Sequence, residues 1–279
     1  MIGGCTPSAP VSTTPRPTAE RPPAVAPPAA GLILPATQPA NQWLVSAVTR
    51  LNASGSALPA GVGSEQRIDT RARITLAFER SSSGALRGRG QVDSFTVRNT
   101  LDPVTTTGAK PSVLLIDAIL DSTYLRVVSR PPLANECDRP EVSAMQLARE
   151  LLVRIPDGVT VGDAWRDSTV TLVCRSGMPL TVYTTSRSKL AQRSAAILVV
   201  ERESTSTLDG KGGSAFRAFE LTGSGSGMQR LEINAGTGIL ERLQGTSTLT
   251  LQVVERIPPG APRVQQVLQR VEIRAERVR

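Results

Sequence analysis

The sequence predicts a mainly β fold: one large, curved antiparallel sheet, a half-barrel of about 11 or 12 strands, with one α-helix packed on its concave face. The first observation is that apolar and polar side chains alternate over residues 68–79, as in a strand with one buried and one solvated face. The second is that similar segments recur at hairpin spacing through most of the chain. The third is that only the stretch between Cys137 and Cys174 has apolar residues at helical spacing. A helix with one apolar stripe must cover another layer, and the concave face of the sheet is the available partner.

The chain divides into a short N-terminal motif, a tether and one folded domain. Ten of the 21 prolines fall before residue 40, in a segment otherwise rich in Ala, Thr and Ser. Such a segment buries too little apolar surface to offset the entropy lost on ordering, so we predict a disordered tether over residues 6–40. Residues 1–5 precede it, and residues 41–279 form a single β-rich domain that can bury a sizeable core.

Within the domain, the predicted strands follow one another as hairpins. A first strand surrounds Trp43, and the alternating strand of residues 68–79 leads through a Ser/Gly loop into a return strand at 85–98. The alternation slips between Val92 and Phe95, which predicts a β-bulge that bends the sheet. The other predicted strands span residues 113–120, 123–129, 167–174, 179–186, 195–203, 215–221, 228–234, 239–243, 246–256 and 264–278.

The glycine-rich segments 223–227 and 235–238 lack the strand-to-helix context of a phosphate-binding loop. We therefore interpret them as a kink in a strand, or as a place where another element packs closely.

The predicted helix lies between Cys137 and Pro156. Asp138 is its predicted N-cap, with Glu141 three residues later as in a capping box, and Pro156 ends it. A turn follows at Pro156-Asp157-Gly158. Such an apolar stripe is typical of core packing; its members are Val142, Met145, Ala148, Leu151 and Leu152.

Composition argues against most classes of enzyme and against nucleic-acid binding. The net charge is +8, but the basic residues are scattered singly among acidic ones, and aromatic residues make up only 3% of the chain. The sequence has no histidine and no CxxC pair, which removes histidine-dependent nucleophile systems and the common zinc sites. Carboxylate pairs of the glycosidase kind stay open, although no pair is marked by its surroundings. We predict no enzymatic activity, no catalytic residue, no metal and no cofactor.

Residues 2–5, Ile-Gly-Gly-Cys, resemble a bacterial lipobox, and a Pro/Ser/Thr-rich tether directly after such a cysteine is usual in bacterial lipoproteins. The segments IPDGVTVGDAW and GSGSGMQRLEINAGTGIL are similar to parts of uncharacterised lipoproteins of the Gram-negative type. The architecture resembles the lipoprotein-carrier and related lipid-binding half-barrel folds. No charged or apolar signal region precedes Cys5. Either the true start lies upstream of Met1, or the lipobox resemblance is accidental and the protein is cytosolic.

The resemblance implies a monomer that is lipidated at Cys5, anchored to a membrane of the cell envelope and facing the periplasm. Its curved sheet is expected to bind an apolar ligand, a lipid or an acyl chain. The alternative is an envelope protein with a filled core that binds another envelope protein. The candidate cavity residues are Ile74, Leu76, Phe78, Met145, Leu151 and Leu152.

In an exported protein, the two remaining cysteines make an even set, so we expect a disulfide between Cys137 and Cys174 that holds the start of the helix to the sheet. The alternative is two unrelated buried thiols in a cytosolic protein.

Overall fold

The computed structural model describes residues 37–55, 65–80, 86–99, 106–108, 112–120, 125–128, 147–148, 150–151, 153, 155–156, 158–175, 178–214 and 217–278. Nine long strands form the body, and three short ones, β4 to β6, extend one side with only their backbone described. The strands are β1 Thr37–Gly55, β2 Glu65–Arg80, β3 Leu86–Asn99, β4 Thr106–Gly108, β5 Ser112–Leu120, β6 Leu125–Val128, β7 Ala164–Arg175, β8 Met178–Arg193, β9 Ile197–Ser214, β10 Arg217–Asn234, β11 Leu240–Arg256 and β12 Arg263–Val278.

All described strand pairs are antiparallel and belong to one sheet, in the order β6-β5-β3-β2-β1-β12-β11-β10-β9-β8-β7, with β4 beside β3. Two meanders are thus joined by the pairing of the first strand with the last. β6 and β7, at the two ends of this order, lie close together. No hydrogen-bonded ladder joins them in the described part of the chain, so the sheet is not closed into a barrel. The predicted mainly β, antiparallel fold is confirmed.

One face of the sheet is buried, because apolar side chains stand side by side across neighbouring strands. A single cross-strand row runs through eight strands and consists of Leu190, Val200, Leu231, Leu243, Ala275, Val45, Ala72 and Phe95. All eight side chains are buried. Burying one such leucine stabilises the fold by roughly 1.5–3 kcal/mol. The opposite face, here called the outer face, is mostly polar and exposed.

The predicted bulge in β3 is confirmed. Arg73 pairs with Ser94 and Ile74 with Val92, so Asp93 is the extra residue. Similar shifts make Ala191 the extra residue in β8 and Glu241 the extra residue in β11. In β11 the bulge explains why Leu240 and Leu243 are both buried, since a regular strand would place residues three apart on opposite faces.

Several predicted strands were too short. The predicted strands 215–221 and 228–234 are one strand, β10, and those at 239–243 and 246–256 are one strand, β11. The hydrogen-bonded ladders continue through residues 223–227 without a break. The physical reason is that in mid-strand the positions in phase with the buried leucines are mainly glycine, so the apolar pattern stops there although the strand does not.

The predicted helix is not confirmed. Among the described residues, only 147, 148 and 150 are helical, and Leu151 N donates to Ala148 O at 3.2 Å. Met145 and Leu152 lie outside the described residues, as do residues 1–36, and β1 begins at Thr37. No helix among the described residues has the length and apolar character that a membrane span needs.

Candidate functional site

The buried face of the sheet carries a first apolar cluster at the end where β1 begins. Trp43 lies at its centre and donates a hydrogen bond from Nε1 to the carbonyl oxygen of Leu240 at 2.8 Å. Ile74 and Leu76 have 0% exposure, so protein atoms surround both side chains. Ala148, Leu151 and Ile155, from the segment before β7, complete the cluster and are themselves buried.

A polar contact holds this segment on the sheet. Glu150 Oε2 accepts hydrogen bonds from Arg202 Nη2 at 3.1 Å and from Gln229 Nε2 at 2.8 Å. Arg202 Nε in turn donates to Gln229 Oε1 at 2.7 Å. The Arg202 side chain is only 19% exposed, so its positive charge needs the carboxylate of Glu150 nearby. Segment 147–156 is therefore attached to the sheet by both apolar packing and charge.

The turn between this segment and β7 explains the Val-Gly-Asp-Ala-Trp sequence. Thr160 donates from both N and Oγ1 to Asp163 Oδ2, each at 2.8 Å. These two hydrogen bonds, the backbone one first, outweigh desolvation and hold the pKa of Asp163 below its usual value. Gly162 has φ of +101°, which favours glycine. Three residues after Gly162, Trp165 packs against the first apolar cluster.

On the same side of the sheet, the middle of the strands carries small and hydroxyl residues, of which Ser247 is exposed and the others are partly exposed. We call them the hydroxyl belt: Thr184, Ser186, Ser204, Ser206, Gly225, Gly227 and Ser247. Thr184 Oγ1 and Ser206 Oγ share a hydrogen bond at 2.8 Å. A Cβ atom on Gly225 would lie 2.2 Å from the carbonyl oxygen of Thr248, so only glycine fits there. The hydroxyl belt is thus a polar strip across the sheet, and β10 and β11 approach each other closely within it.

A second apolar cluster lies beyond the belt, towards the other end of the strands, and consists of Leu180, Leu208, Leu221, Leu251 and Val267. Phe219 packs against it and lies under the guanidinium of Arg217, 4.9 Å from the ring centroid. Arg217 also pairs with the carboxylate of Glu255, which is buried. On the described part of this face, the hydroxyl belt therefore separates two apolar clusters.

A second ion pair lies at the edge of the first cluster. Arg277, which stands opposite Trp43, donates from Nη1 to Glu241 Oε1 at 2.7 Å. Glu241 is the bulge residue of β11, and both side chains are largely buried. Arg277 Nε and Trp165 Nε1 are buried and have no hydrogen-bond partner in the described part of the chain.

The outer face carries one compact acidic site at the bulge of β3. Asp93 accepts hydrogen bonds from Thr75 Oγ1 at 2.6 Å, Gln42 Nε2 at 2.8 Å and Gln91 Nε2 at 2.7 Å. Partial burial raises the pKa of Asp93, but these hydrogen bonds and the charge of Arg73 outweigh it and leave the pKa lowered. The site holds three strands together at the bulge.

Of the residues predicted to form a site, the structure brings together Ile74, Leu76 and Leu151 in the first cluster. Phe78 lies in β2 and Cys174 in β7, both with side chains outside the description. The predicted lipidation site Cys5, the disulfide residue Cys137 and the candidate cavity residues Met145 and Leu152 lie outside the described residues.

The sequence did not reveal the hydrogen-bonded group of Glu150, Arg202 and Gln229, which holds segment 147–156 on the sheet. Arg202 and Gln229 alternate like ordinary solvated strand residues, so no local signal distinguishes them. Across the described ranges, no three acidic, cysteine or histidine side chains are grouped so that they could hold a metal ion.

No protein-family model matches the chain, and no curated protein matches it. Two solved structures resemble it weakly: a chain described under asymmetric conductivity of engineered proteins, and a mutant of a porin from Rh. blastica. Each has 7% sequence identity and a TM-score of 0.19, and the alignment covers 84% of this chain and 99% of the other. A likeness of that degree carries no argument about fold or function.

Proposed function

We propose that the protein is a lipid-anchored, non-enzymatic protein of the bacterial cell envelope, with a periplasmic body that acts as an interaction module. The anchor proposal rests on the Ile-Gly-Gly-Cys motif ending at Cys5 and on the proline-rich segment after it. The body proposal rests on one observation: protein atoms enclose Ile74 and Leu76, and Leu151 is buried in the same apolar cluster. An apolar ligand at this place would need these side chains to line open space.

Within this proposal, the sheet is a half-barrel and segment 147–156 is the plug on its concave face. An eleven-strand path laid flat would separate β6 from β7 by about 48 Å at the usual strand spacing. These strands lie close together, which supports strong curvature. The bulges at Asp93, Ala191 and Glu241 supply bends of the required kind.

The proposed lack of enzymatic activity rests on the side chains of the buried face. Arg202 and Glu150 are engaged with each other, as are Arg277 and Glu241. The chain has no histidine to act as a proton shuttle near neutral pH. These ion pairs hold elements together and leave little polar chemistry for a substrate.

A second candidate function is the binding of an apolar ligand at the other end of the sheet. The observation that favours it is the second apolar cluster, whose described members all come from the sheet itself. Leu221 and Leu251 are themselves only 2% and 1% exposed, so an acyl chain would have to displace the side chains that now enclose them. It would then have the hydroxyl belt beside it for a polar head group.

Fatty-acid labelling tests the anchor. The gene with its own upstream region is expressed in a Gram-negative host fed an alkyne analogue of palmitate. The wild-type chain is expected to carry the label and to sediment with membranes, and Cys5→Ala to lose both. Cys137→Ala is the matched control and should keep the label. An unlabelled wild-type chain, or label retained in Cys5→Ala, contradicts the anchor.

Native mass spectrometry of the protein, released gently from the host envelope, tests the filled core. The expected result is the mass of the chain and its anchor without further lipid. A lipid bound in a fixed one-to-one ratio contradicts the filled core and favours the second candidate.

A further inference from the structure

The outer face of β12, β1, β2 and β3 carries an array of exposed arginines, here called the arginine face: Arg50, Arg67, Arg71, Arg98, Arg270 and Arg274. The only acidic residues in the same three cross-strand rows are Glu272 and Asp69, among the residues that the structure describes. Six arginines against two carboxylates leave a net charge of +4. Although the basic residues look scattered along the sequence, the strand register gathers these six on one surface.

The two carboxylates are already engaged. Glu272 pairs with Arg50, and Asp69 pairs with Arg67 at 2.9 Å. The remaining four arginines of the face form no ion pair with a described residue. Arg71 and Arg274 both stand opposite Ser46, on either side of β1, and so lie about 9.5 Å apart in backbone position.

The register also places like charges side by side. Arg50 stands between Arg270 of β12 and Arg67 of β2, so three arginines occupy consecutive strands of one row. Like charges directly opposite each other destabilise a sheet. Asp69 and Glu272 relieve part of this repulsion, and an anion bound at Arg270 would relieve the rest.

We propose that the arginine face docks on the phosphate head groups of an anionic bilayer, the bilayer to which the chain is anchored in the proposed function on which this inference rests. All six basic side chains of the face are arginine, whose planar guanidinium binds phosphate oxygens in pairs. The face carries no aromatic side chain for stacking nucleic-acid bases within its three rows. The arginine face is therefore suited to binding phosphate groups and not to recognising nucleic-acid bases.

Two features select a membrane as the source of that phosphate. The central strand of the face, β1, is also the strand that directly follows the proline-rich N-terminal segment, so an anchor at Cys5 leads into the middle of the array. Thirty-one residues separate Cys5 from Thr37, which is enough chain length for the face to reach the surface of a membrane that holds Cys5. Leu44, in the next row of the outer face between Glu276 and Arg73, is 49% exposed and can enter the head-group region.

Vesicle binding by the full chain without its lipid tests the proposal independently of the anchor. The chain is sedimented with vesicles of phosphatidylcholine alone and with vesicles containing an equal share of phosphatidylglycerol. Binding is expected only to the anionic vesicles and should fall with added salt. Arg71→Gln, Arg270→Gln and Arg274→Gln together should weaken it by about 10- to 100-fold.

The matched control replaces three exposed basic residues on the outer face of β7 and β8, Arg166, Arg187 and Lys189, by glutamine. It removes the same charge and should change binding by less than about threefold. Equal binding to both kinds of vesicle, or equal loss in the two triple variants, overturns the proposal. Tighter binding to RNA than to anionic vesicles also overturns it. Failed labelling at Cys5 with intact vesicle binding would contradict the anchor alone.

Discussion

Asp93 shows how one polar side chain fixes the register of a long strand. It is the extra residue of the β3 bulge, and its carboxylate accepts hydrogen bonds from Gln42 on β1, Thr75 on β2 and Gln91 on β3. The same hydrogen bonds keep its pKa low in spite of partial burial. A carboxylate held in this way stabilises one register over the neighbouring ones.

Replacing Asp93 by asparagine should lower the free energy of unfolding at neutral pH by about 1 kcal/mol, allowing for solvent screening. Because the folded pKa is depressed, this contribution is present above the pKa of the unfolded carboxyl, about 3.9, and is lost as the pH falls through the lower folded pKa. The difference between the wild type and Asp93→Asn in urea unfolding should therefore shrink below about pH 4.

Asp209→Asn is the control, because Asp209 is exposed on the outer face of β9. It should change stability by less than about 0.5 kcal/mol at any pH. A pH-independent loss in Asp93→Asn would show that the side chain acts by packing rather than by charge.

At the scale of the residue, the sequence predicted the bulge in β3 but not the hydrogen bonds that stabilise it. The slip between Val92 and Phe95 is visible because apolar residues mark the faces of the strand. The donor Gln42 lies 51 residues from Asp93, and no local pattern connects the two.

At the scale of the element, glycine determines how closely β10 and β11 approach. A Cβ atom on Gly225 would lie 2.2 Å from Thr248 O and 2.9 Å from Leu249 Cα, both of them backbone atoms. The ladder is continuous at this point, so neither strand can move aside alone. The glycines of residues 223–227 thus permit close strand approach rather than making a turn.

Gly225→Ala should lower the free energy of unfolding by about 1–3 kcal/mol, because the added methyl group has no space. Gly236→Ala is the matched control: its Cβ would meet only Asn234 Oδ1, at an ordinary 3.6 Å. That variant should be neutral or more stable by up to about 1 kcal/mol. Thermal unfolding measures both, and equal effects would contradict the close approach at Gly225.

Element type was predictable in the strands, whereas strand length was not. The predicted helix is not confirmed, although its stripe residues Ala148 and Leu151 do belong to the first cluster. Alternation over residues 68–79 identified β2 because one of its faces is apolar for most of its length. It failed in the middle of β10, where the buried face is the hydroxyl belt. The first cluster was predicted in part, through Ile74, Leu76 and Leu151, whereas Trp43 joins it by a hydrogen bond to β11 that the sequence does not indicate.

At the scale of the whole molecule, the pairing of β1 with β12 joins two meanders into one sheet. Gln42 pairs with Val278 and Gly55 with Gln265, so every pair in this seam closes a loop of more than 200 residues. The strands within each meander pair with sequence neighbours instead. Closing long loops is entropically costly, and such pairing is expected late in folding.

Two core substitutions separate the seam from the meander by kinetics. Val45→Ala weakens the seam, where Val45 stands between Ala275 of β12 and Ala72 of β2, and should lower stability by about 2 kcal/mol. Leu231→Ala weakens the C-terminal meander, where Leu231 lies between Val200 and Leu243, at a cost of about 2–5 kcal/mol. If the seam forms after the rate-limiting step, Val45→Ala should speed unfolding and leave refolding almost unchanged, whereas Leu231→Ala should slow refolding.

Stopped-flow folding in urea measures both rates. A refolding rate that falls in proportion to stability in Val45→Ala would mean instead that the packing of Val45 against its neighbours on β12 and β2 is already present in the rate-limiting step, and that β1 is ordered early.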